Sequence, residues 1–189
     1  MGMPAPPTTG WTVDMLETLP ADGRRYELVE GELLVTPAPS LDHQRVVGAL
    51  FSRLYAYLAH QPVGEVIVSP ADVRSGPRNS VQPDLFVMRR PVQPAPHGWP
   101  DLETLLLAIE VVSPSSARAD RTVKRRLYQD RGIPEYWIID FDGRVVERWR
   151  PGDDRPEILE TTLEWRPEGC DRALVIELEK LFGDVERRG

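Results

Sequence analysis

The chain has 189 residues, 41% of them hydrophobic and 28% charged, which suits one soluble globular unit with a sizeable core and excludes a disordered or fibrous polymer. A formal net charge of −7 and a pI near 5.1 exclude a protein that grips nucleic acid chiefly through a broad basic face, so any such contact must be local or metal-assisted. Cys170 is the only cysteine, which excludes an internal disulfide, and no run is long and apolar enough to span a bilayer. The start, Met1-Gly2-Met3-Pro4-Ala5-Pro6-Pro7, lacks the basic and apolar regions of a secretion signal, so a cytoplasmic location is expected.

Residues 1–10, rich in Pro and Thr, are expected to be flexible, and residues 11–189 to form a single domain. A short helix is predicted from Thr12 to Leu19. Tyr26 to Val35 reads as two strands joined at Glu30-Gly31, a tight hairpin turn. Pro37-Ala38-Pro39 ends that ribbon, and Ser40 is a good N-cap for a helix running from Leu41 to His60. Val47, Leu50, Leu54 and Leu58 form its apolar stripe, with His43 one turn earlier on the same stripe. Glu65–Val73 and Val81–Met88 are predicted strands joined across Ser75–Asn79 as a hairpin. A Pro-rich loop covers Arg89–Pro100, and Leu105–Val112 is the central strand.

Ala117–Arg131 reads as a polar helix closed by Gly132, with Pro134 just beyond. Glu135–Asp140 is the next strand. A strand, a helix of about four turns and a strand form a parallel crossover. Arg144–Arg150 and Glu157–Trp165 are expected to pair antiparallel, and Leu174–Phe182 to form a short amphipathic piece. The order defines an α/β fold: a mixed β-sheet flanked by helices, with an N-terminal β-hairpin and a C-terminal antiparallel extension.

Within this frame Glu110 stands out, a carboxylate inside Leu105-Leu106-Leu107-Ala108-Ile109-Glu110-Val111-Val112, the most hydrophobic run of the chain. A run apolar on both side-chain parities is buried on both faces of a sheet. An ionised carboxylate is almost never fully buried without a partner, because dehydration costs several kcal/mol, roughly. A cation or a fixed basic group must compensate it. Asp84 has a similar setting, Val81-Gln82-Pro83-Asp84-Leu85-Phe86-Val87-Met88, and two acids on two core strands point to a metal site. Of the 23 basic residues only Lys124 and Lys180 are lysines, so Lys124 invites a role that needs a compact ammonium.

Pro83-Asp84 followed by Glu110 on the next strand, in the order helix, three strands, helix, strand, resembles the PD-(D/E)XK nuclease superfamily. More closely, Tyr26-Glu27-Leu28, His43, Pro83-Asp84, Glu110-Val111-Val112-Ser113-Pro114-Ser115, Asp120, Lys124, Tyr128 and Glu135-Tyr136-Trp137 resemble the Uma-two family of restriction-endonuclease-like proteins, over roughly residues 12–145. The superfamily places a lysine two positions after the glutamate, where this chain has Val112; the resemblance nominates Lys124, from the following helix, instead.

The resemblance implies a restriction-endonuclease-like fold and a DNA endonuclease that uses Mg²⁺ or Mn²⁺. Asp84, Glu110 and the carbonyl of Val111 would hold the ion, which keeps several waters of its own. Lys124 would stabilise developing charge or orient the attacking water, with Glu27 and His43 as outer groups that orient water, add a ligand or relay a proton. Each residue also has a plainer use. Asp84 could accept backbone hydrogen bonds at a strand end, and Glu110 could bridge to an arginine. Lys124, four residues after Asp120, fits an exposed helical pair, and a histidine on an apolar helix face fits a core. Arg121, Lys124, Arg125, Arg126 and Arg131 form the one concentrated cationic stretch, a candidate contact for the phosphate backbone. A nuclease-like fold without cutting activity, serving as a binding or assembly module, is the competing reading, and a metal hydrolase with another phosphodiester substrate a third. Cutting both strands of a duplex is most simply done by two sites, hence a homodimer, with the aromatic surface around Trp149 and Trp165 as the contact.

Overall fold

The computed structural model describes residues 10–90, 98 and 100–186; the flexible terminus expected at 1–10 and most of the loop expected at 89–100 lie outside the described residues. At its centre is a strand with no exposed residue, β7 (Leu105–Val111). Its neighbours are β6 (Leu85–Arg89) on one side and β8 (Tyr136–Asp140) on the other. Beyond them lie β3 (Gly64–Val68) next to β6, then β9 (Val145–Trp149) and β10 (Glu157–Leu159) next to β8. In this six-stranded sheet only β7 and β8 run parallel, with Ile109 opposite Trp137; the remaining pairs are antiparallel. The sheet is therefore mixed, as expected.

The two faces of β7 do different things. Leu107, Ile109 and Val111 pack with Val46, Val47, Leu50 and Leu54 of α2 (Leu41–His60) and with Leu181 and Phe182 of α5 (Leu178–Glu186). Ala108 packs on the opposite side with Phe86, Leu127, Tyr128 and Tyr136. Strand alternation puts Glu110 on Ala108's side. That side is covered by a continuous helical stretch: α3 (Ala117–Ala119), a π turn (Asp120–Lys124) and α4 (Arg125–Asp130). Gly132, at φ +68°, ends it, and Ile133 N–H returns to the carbonyl of Tyr128.

A smaller sheet of order β2-β1-β5-β4 flanks the first. It contains β1 (Arg25–Val29) and β2 (Glu32–Thr36), joined through Glu30 and Gly31, both at positive φ as a type I′ turn requires. It also contains β4 (Val73–Arg74) and β5 (Ser80–Val81). The strand expected over Glu65–Val73 is therefore two strands in two sheets. β3 pairs with β6 in the large sheet and β4 with β5 in the small one, so one long ribbon changes sheets midway. Pro70 and Pro83 sit at the change on the two arms, each lacking the N–H a ladder needs. Asp84 lies at that break.

Three further expectations are corrected. The first helix, α1, spans only Val13–Leu16, because Thr12 offers no side-chain cap and Leu19 precedes Pro20. Only Glu157–Leu159 of the expected strand 157–165 pairs with β9. The next piece, β11 (Thr162–Trp165), turns away to pair with β12 (Leu174–Glu177), which in turn leads into α5. Trp149 and Trp165 are 7% and 2% exposed, Trp165 packing edge-on to Trp137, so they belong to the core and offer no aromatic contact surface.

Candidate active site

The end of β7, the start of β6, the β1 strand, the first turn of α2 and the π turn converge on a cavity of about 220 Å³. Its walls include Arg25, Glu27, His43, Asp84, Glu110, Val111, Asp120 and Lys124. Glu27, His43, Asp84, Glu110, Val111 and Lys124, the residues the sequence nominated for metal binding and catalysis, all line it. Glu27, Asp84, Glu110, Asp120 and Lys124 are each 3% exposed or less.

Two cations organise the acids. Lys124 Nζ lies 2.8 Å from Glu27 Oε2, 2.9 Å from Glu110 Oε1 and 3.4 Å from Asp120 Oδ1. The π turn places Asp120 and Lys124 together on the inward face; Arg125 N–H reaches back five residues to the Asp120 carbonyl, and such turns recur at functional sites. The helical ion pair between Asp120 and Lys124 therefore exists, but buried instead of exposed. Arg25 Nη1 donates to Asp84 Oδ1 at 2.8 Å and to the carbonyl of Gln82 at 3.1 Å.

Asp84 Oδ2 accepts the amide of Val111 at 2.9 Å and lies 2.9 Å from His43 Nε2. Ser40 caps α2 by accepting the amide of His43, which fixes the helix start that aims this ring. Within a strand the amide and carbonyl of one residue face the same neighbour, so Val111's carbonyl is carried toward the Asp84 edge too. Glu27 Oε1 accepts the amide of Gln82 at 2.8 Å, tying the hairpin to the ribbon just before Asp84. Tyr128 donates to Glu110 over 3.4 Å, and Tyr136 to the Asp120 carbonyl over 3.2 Å.

The electrostatics follow from burial against these partners. Burial pushes the Asp84 carboxyl up, but the hydrogen bond from His43, the charge of Arg25 and the Val111 amide outweigh it and hold the group at about 2. For Glu110 burial wins: despite Lys124, its carboxyl is raised well above the usual range, with Asp120, Asp84 and Glu27 adding repulsion. Asp120 is raised for the same reason, against Lys124 and a hydrogen bond from Ser116. Lys124 is buried, which disfavours its charge, yet Glu110, Glu27 and Asp120 drive its ammonium well above the ordinary value. It stays charged.

Among the described residues, four acids face two permanent cations in this cavity; full ionisation would leave two negative charges uncompensated, and the raised carboxyls of Glu110 and Asp120 express that excess. All-oxygen donors with surplus negative charge match a hard divalent ion. Among the described residues no three His, Cys, Asp or Glu side chains already converge as a ligand set. Arg25 and Lys124 now occupy the carboxylates that such a set would use.

The sequence reading missed two members of the cavity. Arg25 went unnoticed, although strand alternation places it on the same face as Glu27. Asp120 was read as a local helix partner. The cationic stretch, by contrast, is largely spent inside the fold. Arg121 donates to Glu147 and Asp140, Arg125 lies over Trp149, Arg131 faces Glu30 and Lys124 is buried. Arg126 keeps an exposed position.

Fold and cavity together place an acid–lysine cluster at the strand ends of a mixed sheet. The chain belongs to the Uma2 family, described as "Putative restriction endonuclease", whose model matches residues 13–179. Among solved structures it is similar to one titled a putative nuclease belonging to DUF820 from Anabaena variabilis, at 20% identity and a TM-score of 0.77, covering 92% of this chain and 98% of that one. That likeness is one of fold. No curated protein matches. Among the described residues no helix is long and apolar enough to cross a membrane.

Proposed function

We propose that this chain is a divalent-metal-dependent endonuclease that hydrolyses DNA phosphodiester bonds in the cytoplasm, using Mg²⁺ or Mn²⁺. The observation that carries this is the surplus of buried carboxylate in one cavity, where Glu27, Asp84, Glu110 and Asp120 face only Lys124 and Arg25 as permanent cations. A buried acid cluster of that kind is unfavourable by itself and becomes favourable once a cation completes it.

Asp84, Glu110 and the Val111 carbonyl are the groups we assign to the ion. When bound, the ion supplies Lewis acidity at the phosphate and a water of lowered pKa. Lys124 stabilises the charge that develops on the phosphate oxygens, a role for a point charge held in place by three acids. Its carboxylate neighbours keep it protonated for that purpose. His43, hydrogen-bonded to Asp84 through Nε2, acts as an outer group that steadies that carboxylate. Glu27 acts as a positioning residue, since it holds Lys124 with one oxygen and the Gln82 amide with the other.

Plasmid incubated with Mg²⁺ and purified protein is expected to be nicked and linearised, and Asp84→Ala to lose that activity by a hundredfold or more. Equal cleavage by both proteins would mean a contaminant and refute the assignment. One observation favours the competing reading of an inactive binding module: Arg25 and Lys124 already satisfy the acids in part, without any ion. Absence of both Mn²⁺ binding and cleavage would establish it.

A further inference from the structure

A second cavity, of about 270 Å³, adjoins the acidic one, and the two share Arg25 and the turn Pro37–Pro39 as walls. Its chemistry is the reverse of its neighbour's. Arg24, Arg25, Gln44, Ser69 and Gln82 line it, and among the described residues no aspartate or glutamate does. Arg24 is half exposed, with its Nε 3.5 Å from Asp22, a loose surface pair that an incoming anion can displace. Ser69 is part of the wall, its hydroxyl buried without a hydrogen-bond partner.

Arg25 is the hinge between the two. Its Nη1 makes both recorded contacts, to Asp84 and to the Gln82 carbonyl. A guanidinium carries five N–H donors in a planar fork, so the donors on Nε and Nη2 remain for a ligand. We propose that the second cavity is a subsite for a backbone phosphate of DNA next to the one being cut, with Arg24 and Arg25 as its donors. Arg25 thereby serves both cavities, holding Asp84 on one side and a phosphate on the other. The choice of DNA as ligand rests on the nuclease reading; the anion preference rests on the cavity alone. An acidic protein in which Arg121 and Arg125 are engaged by internal partners gains from such a local foothold for a polyanion.

The test is fluorescence anisotropy of a short labelled duplex in EDTA, where nothing is cut, across a salt series, for wild type, Arg24→Ala and Arg25→Ala. Calorimetric titration with Mn²⁺ alone runs in parallel. Arg25→Ala is expected to weaken duplex binding about tenfold and Arg24→Ala about threefold, as loss of a charged hydrogen bond or of a partly exposed contact implies. Each should flatten the slope of log K against log salt by about one. Mn²⁺ affinity should be unchanged in Arg24→Ala and equal or tighter in Arg25→Ala, where a cation competing for Asp84 is gone. Wild-type duplex affinity and slope in both variants would overturn the subsite even if the wild type cuts plasmid. A wild type that binds no Mn²⁺ and cuts nothing, while both variants still lose duplex affinity, would sink the nuclease reading and leave the phosphate subsite standing. Arg24 is exposed, so its variant remains informative if Arg25→Ala does not fold.

Discussion

Lys124 is the ammonium against which Glu27, Glu110 and Asp120 are all set, and removing it exposes what the cluster costs. Lys124→Met leaves three buried acids facing one another, which should destabilise the metal-free protein by about 3–5 kcal/mol. Added Mn²⁺ should recover part of that loss, because a divalent ion can replace the missing charge; urea melts with and without Mn²⁺ measure both effects. Glu110 makes a second prediction, with a definite sign. Its carboxyl titrates higher in the fold than in the unfolded chain. Its protonation therefore stabilises the fold fully below the unfolded value of about 4.3, and that contribution is lost as pH rises through the raised native value. In EDTA the wild type should lose stability as pH climbs from about 4.3 toward neutrality, and Glu110→Gln should lose less. Asp84 has the opposite sign: held at about 2, it stabilises the fold above the unfolded value of about 3.9, and that stability disappears as pH falls through 2. Thermal melts over a pH series separate the two.

At the scale of elements, the sheet change in the ribbon is what delivers Asp84. β3 and β6 must lie flat against each other up to Val68 and Leu85 before the arms diverge. Gly64 begins that pairing where a Cβ would meet the Met88 carbonyl and Val87 Cγ1, each at 2.7 Å. Gly64→Ala should therefore cost about 1–3 kcal/mol by denaturant melt, with little effect on Mn²⁺ affinity. The sequence pattern revealed α2 by its 3.6-residue stripe, β7 and β8 by unbroken apolar runs, and the 117–130 helix by its closing Gly132 and Pro134. It could not reveal that Glu65–Val73 is split, since a single strand and two strands in different sheets share one alternation. The pairing of Thr162–Trp165 with Leu174–Glu177 was hidden for a related reason: the sequence shows that a strand exists, not which neighbour it chooses. The π turn left no mark either, although it is what turns an apparent surface ion pair inward.

At the scale of the molecule, the net charge of −7 and the site agree on one strategy. On the proposed function, the protein would repel a polyanion at long range and would have to hold it through a few local groups and a metal. The salt dependence of duplex binding should accordingly be shallow, with a log–log slope of only a few units, whereas proteins that bind through a wide basic face have steeper slopes. Of the helical arginines read in the sequence as a phosphate-binding face, Arg121 and Arg125 are engaged by Asp140, Glu147 and Trp149, which reach them only in the folded chain, while Arg126 stays exposed. Glu110 was legible for the converse reason. A carboxylate in a doubly buried strand needs a compensating partner, and that partner could be sought at once. Arg25 was not, since an arginine at the edge of a hairpin is ordinary until the fold brings Asp84 beside it.

The most direct measurement is calorimetric titration of the purified protein with Mn²⁺ at neutral pH, alongside Asp84→Ala and Glu110→Gln. Saturable binding in the wild type, weakened at least tenfold in both variants, is the expected result. A wild type that releases no heat, or variants that bind as it does, would contradict a metal held by these two carboxylates.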